Sequence, residues 1–228
     1  MFIGTVLIFC HLFTGLVLGL LLYKFTSQRW TFWACALGSV LPDLIDKPLG
    51  HILLQSTLDN GRLYAHTLLF FGIVMIAGAV LWKGKGKYVL LALGLGILLH
   101  QLADTMFLDP TGWFWPLFGP FQAESFPDYF GHSILVELTS AYEWVFGLAS
   151  AGIIVDRLLR ERGRELPFMT ERAYGLMAIT WALFLSSLVF AIYGLVISGS
   201  SDLGTSGAMY ISAIVAAAGG LGLELASK

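Results

Sequence analysis

Residues 88–104 read YVLLALGLGILLHQLAD, an apolar run that ends on a histidine and an aspartate four positions apart. A hydrocarbon core of about 30 Å takes roughly 20 helical residues to cross, so the run, continued to 108, is long enough for a transmembrane helix. Six further runs of this kind lie at 2–23, 30–50, 64–82, 131–155, 173–197 and 208–225. Pro42, Asp43 and Asp46 interrupt the second, and the last is rich in glycine. The whole chain agrees with this reading. Of its 228 residues 57% are apolar and 12% charged, with a mean hydropathy of +0.79, whereas a soluble domain carries roughly 25% charged residues. No segment alternates with period two over about ten residues, which argues against a transmembrane barrel. The expected fold is all-α, a polytopic transmembrane helix bundle of about seven spans. It forms one integral membrane domain over 1–228, with a site-bearing part at about 1–155 and a C-terminal hairpin of spans 173–225.

The first span has no basic residue before it and no small-residue cleavage site after it, so it reads as structure and not as a signal peptide. Cys10 and Cys35 fall in different spans, at depths about 10 Å apart on a rise of about 1.5 Å per residue, which disfavours a disulfide. A formal charge of −2, with the basic residues scattered between spans, gives no footprint for nucleic acid.

Orientation follows from the basic residues. Lys24, Arg29, Lys83, Lys85, Lys87, Arg157, Arg160, Arg162, Arg164, Arg172 and Lys228 fall on one side, and of the thirteen only Lys47 and Arg62 fall on the other. The majority side is cytoplasmic, which puts the N-terminus outside and the C-terminus inside the cell membrane. The Arg-rich loop 156–172 reads as a topology anchor on anionic lipid.

Ionisable residues inside spans are costly and mark sites. Counted from the inner end of each span at about 1.5 Å per residue, His11, His100, Glu143 and Asp43 lie roughly 18–20 Å deep. Asp46, His66 and Asp104 lie near 24 Å by the same count, with Glu137 slightly higher. Imidazoles and carboxylates from five helices thus share two adjacent layers in the outer half of the membrane. Bare carboxylates there would protonate, whereas a cation is held by neutral imidazole and carboxylate together. Helical spacing supports a metal. His100 and Asp104 are four apart, Asp43 and Asp46 are three apart beside Pro42, and Arg62 precedes His66 by four. His51, in an outer connection, reads as a solvated loop residue. His132 has a helix-start role competing with a site role, and Glu137 and Glu143 stand as further candidate ligands. Asp109, Glu124, Asp128 and Asp202 are expected to face water.

The order of an N-terminal His11, PDLID at 42–46, RLYAHT at 62–67, HQLAD at 100–104, then Pro110, Gly112 and Trp115-Pro116 resembles the YdjM-like family of LexA-regulated, membrane-bound metal-dependent hydrolases. The resemblance covers about residues 11–116 and carries over to His11, Asp43, Asp46, Arg62, His66, His100 and Asp104. Its departures, Thr67 in place of Ser and Asn60-Gly61 in place of a further His, bear on the substrate pocket rather than on the ligands. A fainter likeness to the zinc-dependent phospholipase C and single-strand nuclease superfamily would add His132 with Glu137 or Glu143, although the five-residue spacing of His132 and Glu137 departs from that superfamily's HxxxE.

Together these imply a divalent metal, Zn²⁺ first with Mn²⁺ or Fe²⁺ next, that activates water against an ester or phosphoester. His11, Asp43, His66, His100 and Asp104 are its expected ligands, Asp46 bridges metals or acts as general base, and Arg62 faces the developing oxyanion. The expected substrate is a membrane lipid or lipid-linked phosphate, with Trp113, Phe114, Trp115 and the apolar stretch 117–121 alongside. The competing readings are a cation or proton transporter built on the same cluster and a non-catalytic membrane scaffold.

Overall fold

The computed structural model describes residues 8–163, 172–198 and 203–227, and among these no strand occurs. Arg164, Asp202 and Lys228, and the start of the first expected span, lie outside the described residues. The helices are α1 (Ile8–Thr26), α2 (Arg29–Gly38), α3 (Leu41–Pro48), α4 (Leu68–Lys85), α5 (Val89–Ala103), α6 (Pro110–Trp113), α7 (Tyr129–Thr139), α8 (Ala141–Glu161), α9 (Arg172–Ser198) and α10 (Leu203–Ser227).

Four helical segments are long and apolar enough to cross a membrane: Ile8–Thr26, Leu68–Lys85, Ala178–Val196 and Gly207–Ala226. The bent pair α7–α8 makes a fifth if it is one span. The difference from the expected seven comes from breaks inside the other runs. The run at 30–50 divides at Ser39 and Val40, because a continuous helix would need an N–H from Pro42, which has none; at the start of α3 that N–H is not required. The run at 64–82 starts as a helix only at Leu68, after a 3₁₀ turn Tyr64–His66, and Thr67 caps it by accepting from the Phe70 N–H. The run at 88–108 stops at Ala103, with Thr105 left-handed at φ 55°. In the fifth run, Ser140 is extended and ends one helix as it begins the next, with a bend of 76°. Glu137 and Glu143 therefore do not share a helix.

Helices α1, α2 and α5 pack at close range. A Cβ on Gly38 would overlap the Leu93 carbonyl, and one on Gly96 would overlap the Cys35 carbonyl, so the α2–α5 backbones meet where neither has a side chain. This brings Ser39 against α5 at the level of His100. On the other flank, Phe13 and Leu16 of α1, Phe146 of α8, Leu183 and Phe190 of α9 and Leu223 of α10 form one buried apolar cluster. Cys10 and Cys35 are buried and free.

Candidate metal centre

The break between α3 and α4 creates the site. Asp46, fully buried, accepts from the main-chain N–H groups of Leu63 (2.9 Å), Ala65 (3.1 Å) and His66 (3.1 Å) and pairs with His66 Nδ1 at 2.8 Å. Four donors match the roughly four acceptor sites of a carboxylate. Asp46, expected as a metal bridge or general base, thus lies behind His66 and holds the 63–66 turn and the ring together. From α5, Gln101 donates to the carbonyls of Ala65 (3.3 Å) and Thr67 (3.0 Å) and accepts from Trp113 Nε1 at 3.0 Å. His100 Nδ1 lies 2.8 Å from the Ser39 carbonyl, on the α2–α3 break.

These contacts fix the tautomers. A carboxylate and a carbonyl can only accept, so both Nδ1 atoms carry the proton and both Nε2 atoms of the neutral rings carry lone pairs. The two Nε2 atoms are 3.0 Å apart. Lone pairs at that separation repel unless a proton or a cation lies between them. Two carboxylate oxygens join them. Asp43 Oδ1 is 3.6 Å from His66 Nε2 and 3.7 Å from His100 Nε2, and Asp104 Oδ2 is 3.7 and 3.9 Å from the same atoms. Asp43 Oδ1 is buried and has no hydrogen-bond partner. Ligands on a tetrahedral zinc with bonds of about 2.0–2.1 Å are about 3.3–3.4 Å apart, and the distances here bracket that edge. Asp43, His66, His100 and Asp104 are all buried, with their four candidate ligand atoms within 4.8 Å of one another.

His11 flanks this set. Its Nε2 is 3.1 Å from Asp104 Oδ1, and its ring stacks on that of His100 with centroids 4.0 Å apart. Arg62 Nε lies 3.3 Å from Asp104 Oδ2, and Lys47 Nζ lies 2.5 Å from Asp43 Oδ2. The structure leaves three lower candidates outside the set. Glu143 accepts from the Phe9 and Cys10 N–H groups and Glu137 from that of Ile8, so both face the first described turn of α1. His132 is exposed on α7.

A model of the YdjM inner membrane protein family matches residues 7–221, almost the whole chain. The chain belongs to that family. No curated protein and no solved structure matches this YdjM-family chain. It is a membrane protein with a buried His/Asp group able to hold a metal ion.

His51, expected to be solvated, is instead buried in this YdjM-family fold. The 126–130 segment folds over it: Tyr129 stacks on its ring at 3.6 Å, and Phe126 and Phe130 present their edges. Its Nδ1 is 2.9 Å from Asp59 Oδ1, and Asp59 also accepts from the Phe126 N–H. Both contacts hold the Asp59 carboxyl below its usual range. Asp109 and Asp128 are exposed and accept from the N–H groups of Gly112 and Gly131 as helix caps, and Glu124 is exposed. Ser39, Gln101 and Lys47 carry no site signal in the sequence. The first two are neutral, and Lys47 reads as a topology charge.

Proposed function

We propose that this chain is a membrane-bound metal-dependent hydrolase acting on a phosphoester of a lipid or lipid-linked substrate. The observation that carries the proposal is the convergence of two Nε2 lone pairs and two carboxylate oxygens on one buried point. Asp43, His66, His100 and Asp104 would hold the ion, with mixed imidazole and carboxylate donors favouring Zn²⁺, then Mn²⁺ or Fe²⁺. When bound, such an ion lowers the pKa of water and polarises the scissile ester. Asp46 orients His66 and raises its basicity, as the Ser39 carbonyl does for His100. His11 fixes Asp104 from its other oxygen, and Arg62 faces the negative charge that develops on the substrate. Tyr64, Trp115 and Phe121 pack ring against ring beside the 64–66 turn, with Leu117 and Phe118 exposed next to them, an apolar approach suited to acyl or prenyl chains.

In this reading α2–α3 and α5 also lie within the bilayer, giving seven crossings with the site towards the outer face. Cysteines introduced at 51–60 and 119–128 then react with an impermeant thiol reagent in intact cells, and those at 83–87 and 157–163 do not; the reverse pattern would place the site in the cytoplasmic half. For activity, zinc-loaded wild type and His100→Ala are incubated with phospholipids and polyprenyl phosphates, and released headgroup or phosphate is followed. Wild type turns over at least one of them and His100→Ala none. Turnover of none by metal-loaded wild type, together with ion flux in liposomes that Asp104→Asn blocks, would replace the hydrolase with a transporter.

A further inference from the structure

Asp43, His66, His100 and Asp104 are at most 6% exposed, so an ion reaches them only if part of the surrounding shell moves. The shell is not equally free to do so. The α2 and α5 backbones touch at Gly38 and Gly96, and parting them would open a close-packed helix joint. Residues 49–67 and 114–128 include no α-helix, and a local opening there breaks fewer contacts.

These two segments hold each other. The Gln122 carbonyl accepts from Asn60 Nδ2 at 2.9 Å, the Glu124 N–H donates to the Leu58 carbonyl at 2.7 Å, the Phe126 N–H donates to the Asp59 carboxylate, and Tyr129 stacks on His51. Two buried side chains of the 51–60 loop face both ways. Asp59 holds His51 Nδ1 as well as Phe126, and Asn60 accepts from the Arg62 N–H at 2.7 Å as well as donating to Gln122. Arg62 in turn pairs with Asp104. Asn60 and Arg62 thus connect the 122–130 segment to a candidate ligand.

The closed arrangement carries its own cost. Asp59 sits in the left-handed region at φ 41°, which a residue with a side chain seldom adopts. His51 Nε2 is buried with no hydrogen-bond partner among the described residues, and it faces Gly61, where a Cβ would lie 2.7 Å from it. Opening lets the loop relax and gives that nitrogen water. Closure is therefore held by the His51–Asp59 pair and the aromatic rings laid over it.

We propose that residues 122–130 form a strap that opens to admit an ion to the metal centre, with His51 and Asp59 as its latch. This rests on the metal-dependent hydrolase reading and adds how its site is loaded.

Release of zinc from the detergent-purified, zinc-loaded full chain into excess EDTA tests the strap. His51→Ala releases zinc about tenfold faster than wild type, the factor that one lost hydrogen bond to a charged group supplies. Tyr129→Ala releases it about threefold faster through the lost ring stacking. Both hold as much zinc at saturation as wild type, and Leu183→Ala, loosened in the distant apolar cluster, releases it at the wild-type rate. Amide hydrogen exchange gives a readout that needs no metal: in metal-free His51→Ala the Glu124, Phe126 and Arg62 amides all exchange faster, by a similar factor. Wild-type release rates in both latch variants, an equal acceleration in Leu183→Ala, or an Arg62 amide that stays protected while Phe126 loosens would overturn the strap. A folded wild type that takes up no zinc overturns the hydrolase reading itself, and the exchange pattern then decides the strap alone.

Discussion

Between Arg29 and Trp113 the chain breaks at 39–40, runs through irregular turns from 49 to 67, and stops again at 104–109, and its longest helix has 18 residues. The C-terminal hairpin is built from α9 and α10, of 27 and 25 residues. In lipid every main-chain N–H and carbonyl needs a partner, which a continuous helix supplies by itself. The hairpin takes that route, and the hydroxyls of Ser186 and Ser187 turn back onto carbonyls of their own helix. The broken half instead brings partners from far along the sequence. Asp46 serves the 63–66 turn, Gln101 the carbonyls of Ala65 and Thr67, and His100 the carbonyl of Ser39. Breaks in the apolar segments gather polar side chains here, and the candidate ligands converge where they gather.

Removing one of the converging atoms should have the largest effect. His66→Ala or Asp104→Ala should reduce bound metal to background, measured by inductively coupled plasma mass spectrometry on purified protein, while the α9–α10 hairpin stays inserted because insertion depends on its apolar run. Metal retained at wild-type stoichiometry in both variants would remove the site from the broken half. Next in size is Asp46→Ala, which strands three main-chain N–H groups and His66 Nδ1. It should cost about 3–5 kcal/mol in thermal or denaturant unfolding, and the surviving folded protein should bind metal about 10–100-fold more weakly. An Asp46→Ala protein with wild-type metal affinity would show that the ring needs no support from behind.

In the hairpin, Leu183→Ala should cost about 2–5 kcal/mol of stability by opening a cavity in the buried apolar cluster, and leave metal content unchanged. Loss of metal there would mean that the two regions are not separable. The smallest effect concerns Asp59. Its folded carboxyl sits below the ordinary value of about 3.9, so its hydrogen bonds contribute fully above that pH and are lost as pH falls through the lower, folded value. Exchange protection of the Phe126 amide should therefore be level from about pH 8 to 5 after correction for intrinsic rates and fall only below about pH 4, and Asp59→Asn should remove that fall.

The residues gathered at the site are largely visible in the sequence because ionisable side chains are rare in apolar runs and their depth can be counted. His11, Asp43, His66, His100 and Asp104 count to neighbouring levels, and the structure draws them together. What counting cannot show is direction. Glu143 lies at His11's level but faces the α1 backbone, because the bend at Ser140 turns its helix. His51 is hidden for a different reason: its burial is made by residues 126–130, over 70 positions away, and no local pattern announces it. Asp46 differs from Asp43 only by which neighbours reach it, a matter decided by the 63–66 turn. Helix breaks at Pro42, at Tyr64–His66 and at Thr105 interrupt the other apolar runs, which leaves four to five helices that are long and apolar enough to cross a membrane among the described residues.

One buried point, bounded by two imidazoles and two carboxylates, is able to hold a divalent ion. X-ray absorption at the metal edge of purified, zinc-supplemented protein tests it directly. About one ion per chain is expected, with a mixed nitrogen and oxygen shell of four or five atoms at about 2.0–2.1 Å and the outer scattering of two histidine rings, and the His66→Ala, His100→Ala double variant should hold no metal above background. A chain that binds no metal while folded, or one whose ion shows an all-oxygen shell without imidazole scattering, would contradict it.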